Sequence, residues 1–183
     1  MKMLQHVTEI YYLILILYNI FMKILGIDPG VAIVGYCILD FDGKNLHLLN
    51  SGSIQTSKEE SENQRLCEIY EDMRIIIEKY HPDVCAVEKL FFFRNYTTVM
   101  PVAHARGVIL LSLEQSKIPV FEYTPIEVKQ ILTGYGRATK KEVEQMVKVA
   151  LNTDVLPKLD DTVDAIAIAI SYTRSNAILD KYR

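Results

Sequence analysis

The chain has no tryptophan and only three cysteines in 183 residues, Cys37, Cys67 and Cys85. They are odd in number and widely spaced, and no Cys-x-x-Cys occurs. A disulfide framework and a zinc knuckle are therefore not indicated, and the pattern suits reduced thiols in a cytoplasm. The longest apolar run, Ile10–Met22, has thirteen residues, short of the ~20 that a helix needs to span a bilayer. Glu9 stands where a signal peptide would have a basic start, and no Ala-x-Ala-like site follows the run. No internal repeat and no low-complexity tract appears. A surplus of positive charge is also missing, because the net charge is −3. The total therefore gives nucleic-acid binding no support.

The distribution of charge says more. Acids gather at Glu59, Glu60, Glu62, Glu68, Glu71 and Asp72, while none occurs from Lys89 through Leu113. Lys89, Arg94 and Arg106 fall in that acid-free stretch, and Lys129, Arg137, Lys140, Lys141 and Lys148 make a second positive region. A mildly acidic protein can still present a basic face; two ordinary solvated helix faces read equally well.

Half of the residues are apolar and about a quarter charged, and the length suits one domain with a substantial core. Residues 1–21 are expected to lie outside the fold, as an upstream extension or a short membrane-associating segment, and residues 22–183 to form the domain. Lys23–Asp28 reads as a short buried strand, Val31–Asp40 as a second, and Leu46–Gln55 as a third, with an Asp42-Gly43 hairpin signal between the last two. Ser57–Tyr80 has helical spacing at Leu66, Ile69, Tyr70, Met73, Ile76 and Ile77, with Ser57 and Ser61 as alternative N-caps. Asp83–Glu88 is a buried strand, Leu90–Tyr96 a loop rich in Phe and Asn, Thr98–Gln115 a long apolar helix and Ile118–Tyr123 another strand. Thr124-Pro125 opens a helix to about Leu132. Thr139-Lys-Lys-Glu142 opens the next as a capping box, and a last helix runs from near Asp160 to about Leu179. The order β-β-β-α-β-α-β-α-α-α predicts an α/β fold: a mixed five-stranded sheet with helices on both faces.

Four carboxylates stand in poor places for mere solubility. Asp28 ends the first strand, Glu88 ends the fourth, and Asp161 and Asp164 share one face of a helix at i, i+3. Parallel neighbouring strands would set Asp28 beside Glu88, and the last helix could lay the other two across them. Hard divalent cations take oxygen ligands of this kind. Two such ions about 3.5–4 Å apart can clamp the attacking and leaving oxygens of a phosphoryl displacement. Other readings stay open. Asp28 before Pro-Gly suits a turn, and Asp160 and Asp161 suit the first turn of a helix, with Asp160 as its cap. Glu88 and Asp164 are harder to dismiss, since each sits in apolar surroundings and needs a partner.

Several motifs carry a resemblance: Gly26-Ile-Asp28-Pro-Gly30, Glu88-Lys-Leu-Phe91, Ala105-Arg-Gly-Val108, Thr124-Pro125 with Val128-Lys129, Leu132-Thr-Gly-Tyr-Gly136, Lys140, and Asp161-Thr-Val-Asp164-Ala-Ile-Ala. In this order, from Met22 to about Ser175, the chain resembles the bacterial RuvC Holliday-junction resolvases. Residues 1–21 have no counterpart, and His104, where the family often has Gln, is given no role. The resemblance implies a ribonuclease H-like fold and a cytoplasmic homodimer. It implies paired, Mg²⁺-dependent nicks in opposing strands of a four-way DNA junction, leaving 5′-phosphate and 3′-hydroxyl ends. Two Mg²⁺ per subunit, with Mn²⁺ able to substitute, would be held by Asp28, Glu88, Asp161 and Asp164. Junction-binding lysines fall on Lys129 and Lys140, an aromatic wedge falls on Phe91, and the implied protein partners are RuvA and RuvB. Tyr135 and Arg137 are further loop candidates for DNA contact. Another ribonuclease H-like metal nuclease and a non-catalytic junction-binding protein are the alternatives.

Overall fold

In the computed structural model, which describes residues 22–90 and 96–175 (at 96–98 the backbone alone), five strands form one sheet in the order β3-β2-β1-β4-β5. They are β1 (Met22–Asp28), β2 (Ile33–Phe41), β3 (Leu46–Gln55), β4 (Val84–Glu88) and β5 (Val120–Tyr123). β1 pairs antiparallel with β2, and β2 with β3; β1–β4 and β4–β5 are parallel. This is the expected mixed sheet. The N-terminal segment 1–21, residues 91–95 with Phe91 in the expected loop, and Leu179 lie outside the described residues.

Period-2 alternation in the central strands explains the layers. Met22 and Ile24 of β1, with Val84 and Ala86 of β4, enter one apolar core. Leu25 and Ile27, with Cys85 and Val87, enter the other. Strands that are apolar on both sides need a cover on each face. α1 (Glu62–Tyr80) and α2 (Tyr96–Gln115) cover the second core through Ile69, Met73, Ile109 and Leu113. α3 (Pro125–Thr133), α4 (Lys140–Leu151) and α5 (Asp160–Arg174) cover the first through Val128, Leu132, Val143, Val147 and Ile166–Ile170. α5 is buried nearly all round, because it lies between the sheet and the pair α3–α4. Among the described residues, no helix is long and apolar enough to cross a membrane.

The local signals behave as their chemistry requires. Asp42 turns the β2–β3 hairpin: its Oδ1 accepts from the Lys44 and Asn45 amides at 2.9 and 2.6 Å. Those bonds, with one from the Asn45 side chain, hold its carboxyl down at about 2. Ser61, Thr124 and Thr139 each close a capping box, with Gln64, Glu127 and Glu142 respectively. Ser61 rather than Ser57 is therefore the cap of α1, and the helix begins at Glu62.

Two expectations need correction. Asp160 is not the cap of α5: Leu159 occupies that position, with no side-chain cap bond. Asp160 sits inside the first turn, where its carboxylate is drawn to Lys140 instead of the helix amides. The helix also stops at Arg174, short of the expected Leu179, because Ser175 leaves helical geometry with an extended backbone.

Candidate active site

β1 and β4 run parallel with Ile27 opposite Val87. The next residues, Asp28 and Glu88, therefore leave the same edge of the sheet side by side. β2 supplies the third support. Asp28 pairs with Gly35, and a Cβ built on Gly35 would stand 2.0 Å from the carbonyl oxygen of Asp161. Only a missing side chain lets the first turn of α5 rest there. Gly26 repeats the device two residues earlier on β1. A Cβ there would lie 2.3 Å from the Ala165 carbonyl oxygen and 2.8 Å from the Ala169 Cβ. Thr162, buried, fixes the same turn by donating its hydroxyl to the Gly52 carbonyl of β3 at 3.1 Å. Asp161 and Asp164 are thus brought over the strand ends by two glycines and the Thr162 hydrogen bond to β3.

All four acids are half-buried, and their electrostatics show mutual proximity. Burial, then repulsion by Glu88, Asp164 and Asp161, pushes the Asp28 carboxyl up to about 8, while Lys140 pulls the other way. Burial, then Asp164, pushes Glu88 up to about 7. Burial also raises Asp164, against the lowering effect of Lys140. Carboxylates crowded in this manner favour a proton or a cation between them. Their donor chemistry fits a hard divalent ion, which takes carboxylate oxygens. Among the described residues, however, no group of three or more His, Cys, Asp or Glu stands ready to hold an ion. The backbone frame is assembled; the side chains are not closed on a common centre.

Both expected lysines lie at this place. A pocket of about 240 Å³ is walled by Glu88, Asp164, Lys129 and Lys140 over a floor that includes Val128 and Val143. α3 brings Lys129 and α4 brings Lys140. The Lys140 ammonium reaches Asp160 Oδ2 at 3.0 Å and Asp164 Oδ2 at 3.6 Å, so here it answers carboxylates. Tyr135 is exposed on the α3–α4 loop, as is Arg137. Phe91 falls outside the described residues. His104, given no role from sequence, pairs its Nδ1 with Glu62 Oε1 at 2.6 Å across α1 and α2.

Four contributors were not read from the sequence. Gly26 and Gly35 are clearance residues, and glycine inside a strand was the available signal. Arg106 of α2 donates from Nε to the Glu88 carbonyl at 3.3 Å and pairs with Glu122 on β5, tying the site's edge to the neighbouring strand. Asp160 pairs with Lys140.

The family model for the crossover junction endodeoxyribonuclease RuvC matches residues 24–172. A crossover junction endodeoxyribonuclease RuvC of Brevibacillus brevis is 48% identical over 158 residues, covering 86% of this chain and 95% of that protein. The structure of Thermus thermophilus RuvC in complex with a Holliday junction substrate superposes with a TM-score of 0.81 at 31% identity, over 87% of this chain and 96% of that one. The yeast mitochondrial Holliday junction resolvase Ydc2 shares the fold, with a TM-score of 0.61 at 20% identity over 88% of this chain and 83% of its own. With four acids framed on one sheet edge and a family match running from β1 into the last turn of α5, the chain belongs to the RuvC family of crossover junction endodeoxyribonucleases.

Proposed function

We propose that the protein resolves four-way DNA junctions by paired nicks in opposing strands, with Asp28, Glu88, Asp161 and Asp164 as ligands of two divalent cations, Mg²⁺ by preference. The observation that carries this reading is the convergence of four acids from β1, β4 and α5 beside a pocket that also holds Lys129 and Lys140. Bound at that edge, the ions would supply an activated water for in-line attack and neutralise the leaving 3′-oxygen. The chain's own residues do the rest. The carboxylates set where the scissile phosphate can lie, while Lys129 and Lys140 meet neighbouring phosphates and set register without reading bases. Phe91, three residues beyond Glu88, is placed by the family resemblance to unstack bases at the crossover.

Paired nicks need two active sites on one junction, and so a homodimer. The α1–α2 face supplies a surface for a second copy. It carries a groove of about 370 Å³ lined by Leu66, Cys67, Tyr70, Val108 and Leu111, and Leu111 is 53% exposed. RuvA and RuvB, as partners at the junction, and a cytoplasmic location rest on the family resemblance. Cys37, Cys67 and Cys85 are all free thiols, which suits that compartment.

A synthetic four-way junction, a linear duplex and an RNA–DNA hybrid, each incubated with and without Mg²⁺, test the proposal together. The expected result is cleavage of the junction alone, with Mg²⁺ alone. Asp28→Asn should abolish cleavage and leave junction binding in place. Wild-type cleavage by Asp28→Asn, or equal cleavage of all three substrates, would sink the reading.

A further inference from the structure

Lys140 sits at the first turn of α4, where the Thr139–Glu142 capping box pins its backbone. Its ammonium is shared by two carboxylates one helical turn apart on α5, at 3.0 Å from Asp160 and 3.6 Å from Asp164. Asp164 belongs to the acid cluster. Asp160 does not, and it has no capping duty either, since the N-terminus of α5 lacks a side-chain cap bond. Its one described polar contact is Lys140. Lysine suits such a place: it is a point charge on a flexible stem, able to swing a few ångströms without moving its backbone. The side chains of Lys140 and Asp164 are 44% and 40% exposed and that of Asp160 is 76% exposed. Exposed pairs of this sort hold weakly and exchange readily.

We propose that Asp160 is a positioning residue for Lys140. With Asp164 it holds the ammonium beside the acid cluster as a counter-charge, and a divalent cation arriving at Asp164 displaces Lys140 onto Asp160. The lysine then stays tethered at the rim of the pocket, beside Lys129, where a DNA phosphate can take it from an exposed carboxylate. Cation loading and phosphate contact are coupled through one side chain. By linkage, whatever removes Lys140 from Asp164 favours the cation, and the cation favours a released Lys140. The idea rests on the metal-site reading above and adds to it a residue and a sequence of contacts.

The test is calorimetric titration of Mn²⁺ into the full-length protein without DNA, so that cleavage plays no part. Lys140→Met should tighten Mn²⁺ binding by about threefold to tenfold, the effect of removing one like charge near a ligand at surface dielectric. Asp160→Asn should weaken it by about threefold while Lys140 is present, because the ammonium then has only Asp164. In the Lys140→Met background the same change should have a clearly smaller effect. Asp160→Glu should restore wild-type affinity. The proposal is overturned if Lys140→Met fails to tighten Mn²⁺ binding, or if Asp160→Asn acts equally in both backgrounds, as a merely nearby charge would. An isotherm unchanged by Asp164→Asn is a different failure: it removes the metal site itself, and the proposal with it.

Discussion

α5 meets the sheet backbone to backbone, whereas α2 stands off it on side chains. On the α5 side, a Cβ at Gly35 or Gly26 would run into helix carbonyl oxygens at 2.0 and 2.3 Å, and the helix buries Ala165, Ala167 and Ala169. On the other side Ala105, Ile109 and Leu113 of α2 make the contact, Leu111 remains exposed, and a Cβ at Gly107 would meet nothing within 4 Å. The difference follows from what each face carries. Carboxylates proposed to hold a cation must be kept within fractions of an ångström, and backbone packed on backbone leaves little freedom. A wall proposed to face a second copy has no such requirement.

Exchanging the glycines for alanine breaks the comparison most sharply. Gly35→Ala must drive α5 off the sheet edge, because the obstruction is backbone. The expected cost is about 3 kcal/mol, with loss of junction cleavage as Asp161 and Asp164 move away from Asp28. Gly107→Ala should instead stabilise the protein by up to about 1 kcal/mol, since it adds a methyl group in open space within a helix interior. Urea midpoints measured side by side decide the matter, and similar costs for the two would contradict the asymmetry.

The acid cluster makes the α5 side dependent on pH as well. Asp28 and Glu88 are raised to about 8 and about 7, so the folded state holds protons that the unfolded chain would release. Such groups stabilise fully below the ordinary carboxylate pKa of about 4, and that contribution is lost as pH rises through the folded values. In EDTA, stability should therefore fall between pH 6 and 8.5. Asp28→Asn should flatten the fall and leave the metal-free variant more stable than wild type at pH 8.5. Parallel profiles for the two proteins would show that the cluster is not strained. Divalent cation added at pH 8 should raise the wild-type midpoint and not that of the variant.

Much of this site was legible before any coordinates. The acids themselves, the β-β-β-α-β order that gathers Asp28 and Glu88, and the i, i+3 relation of Asp161 and Asp164 all follow from patterns with short range: strand ends, hairpin turns, capping boxes. What was not legible depends on pairs far apart in the chain. The need for glycine at position 35 exists only because residue 161 comes to rest there. Asp160 looked like a cap because first-turn acids serve helix amides well, and local chemistry could not know that Lys140 would arrive from another helix. Arg106 likewise had a positive charge to be noticed, but its tie to the Glu88 carbonyl needs the packing of α2 beside β4.

On the α2 side the exposed groove offers a third comparison. Leu111→Glu places a charge on a surface proposed to face a second copy, and leaves both cores untouched. The expected outcome is an unchanged urea midpoint at low protein concentration, a shift from dimer to monomer by sedimentation, and loss of paired nicks while single nicks persist. A dimer that survives the change would move the proposed interface elsewhere.

The smallest expected effect separates the layers by one hydroxyl group each. Thr162 and Ser112 are both buried, at 2% and 1% exposure. Thr162 donates across the layers to the Gly52 carbonyl of β3 at 3.1 Å, whereas Ser112 donates to Ile109 within its own helix at 2.8 Å. Thr162→Val keeps the shape and removes the cross-layer bond to the Gly52 carbonyl, so it should cost about 1 kcal/mol and loosen the turn that carries Asp161. Ser112→Ala removes a bond to a helix carbonyl that the helix itself can serve, and should fall within about 0.5 kcal/mol of wild type. The informative readout is Mn²⁺ affinity beside stability. Thr162→Val should weaken it and Ser112→Ala should not, because of the two hydroxyls only the first holds the turn that carries Asp161, a proposed ligand, against the sheet.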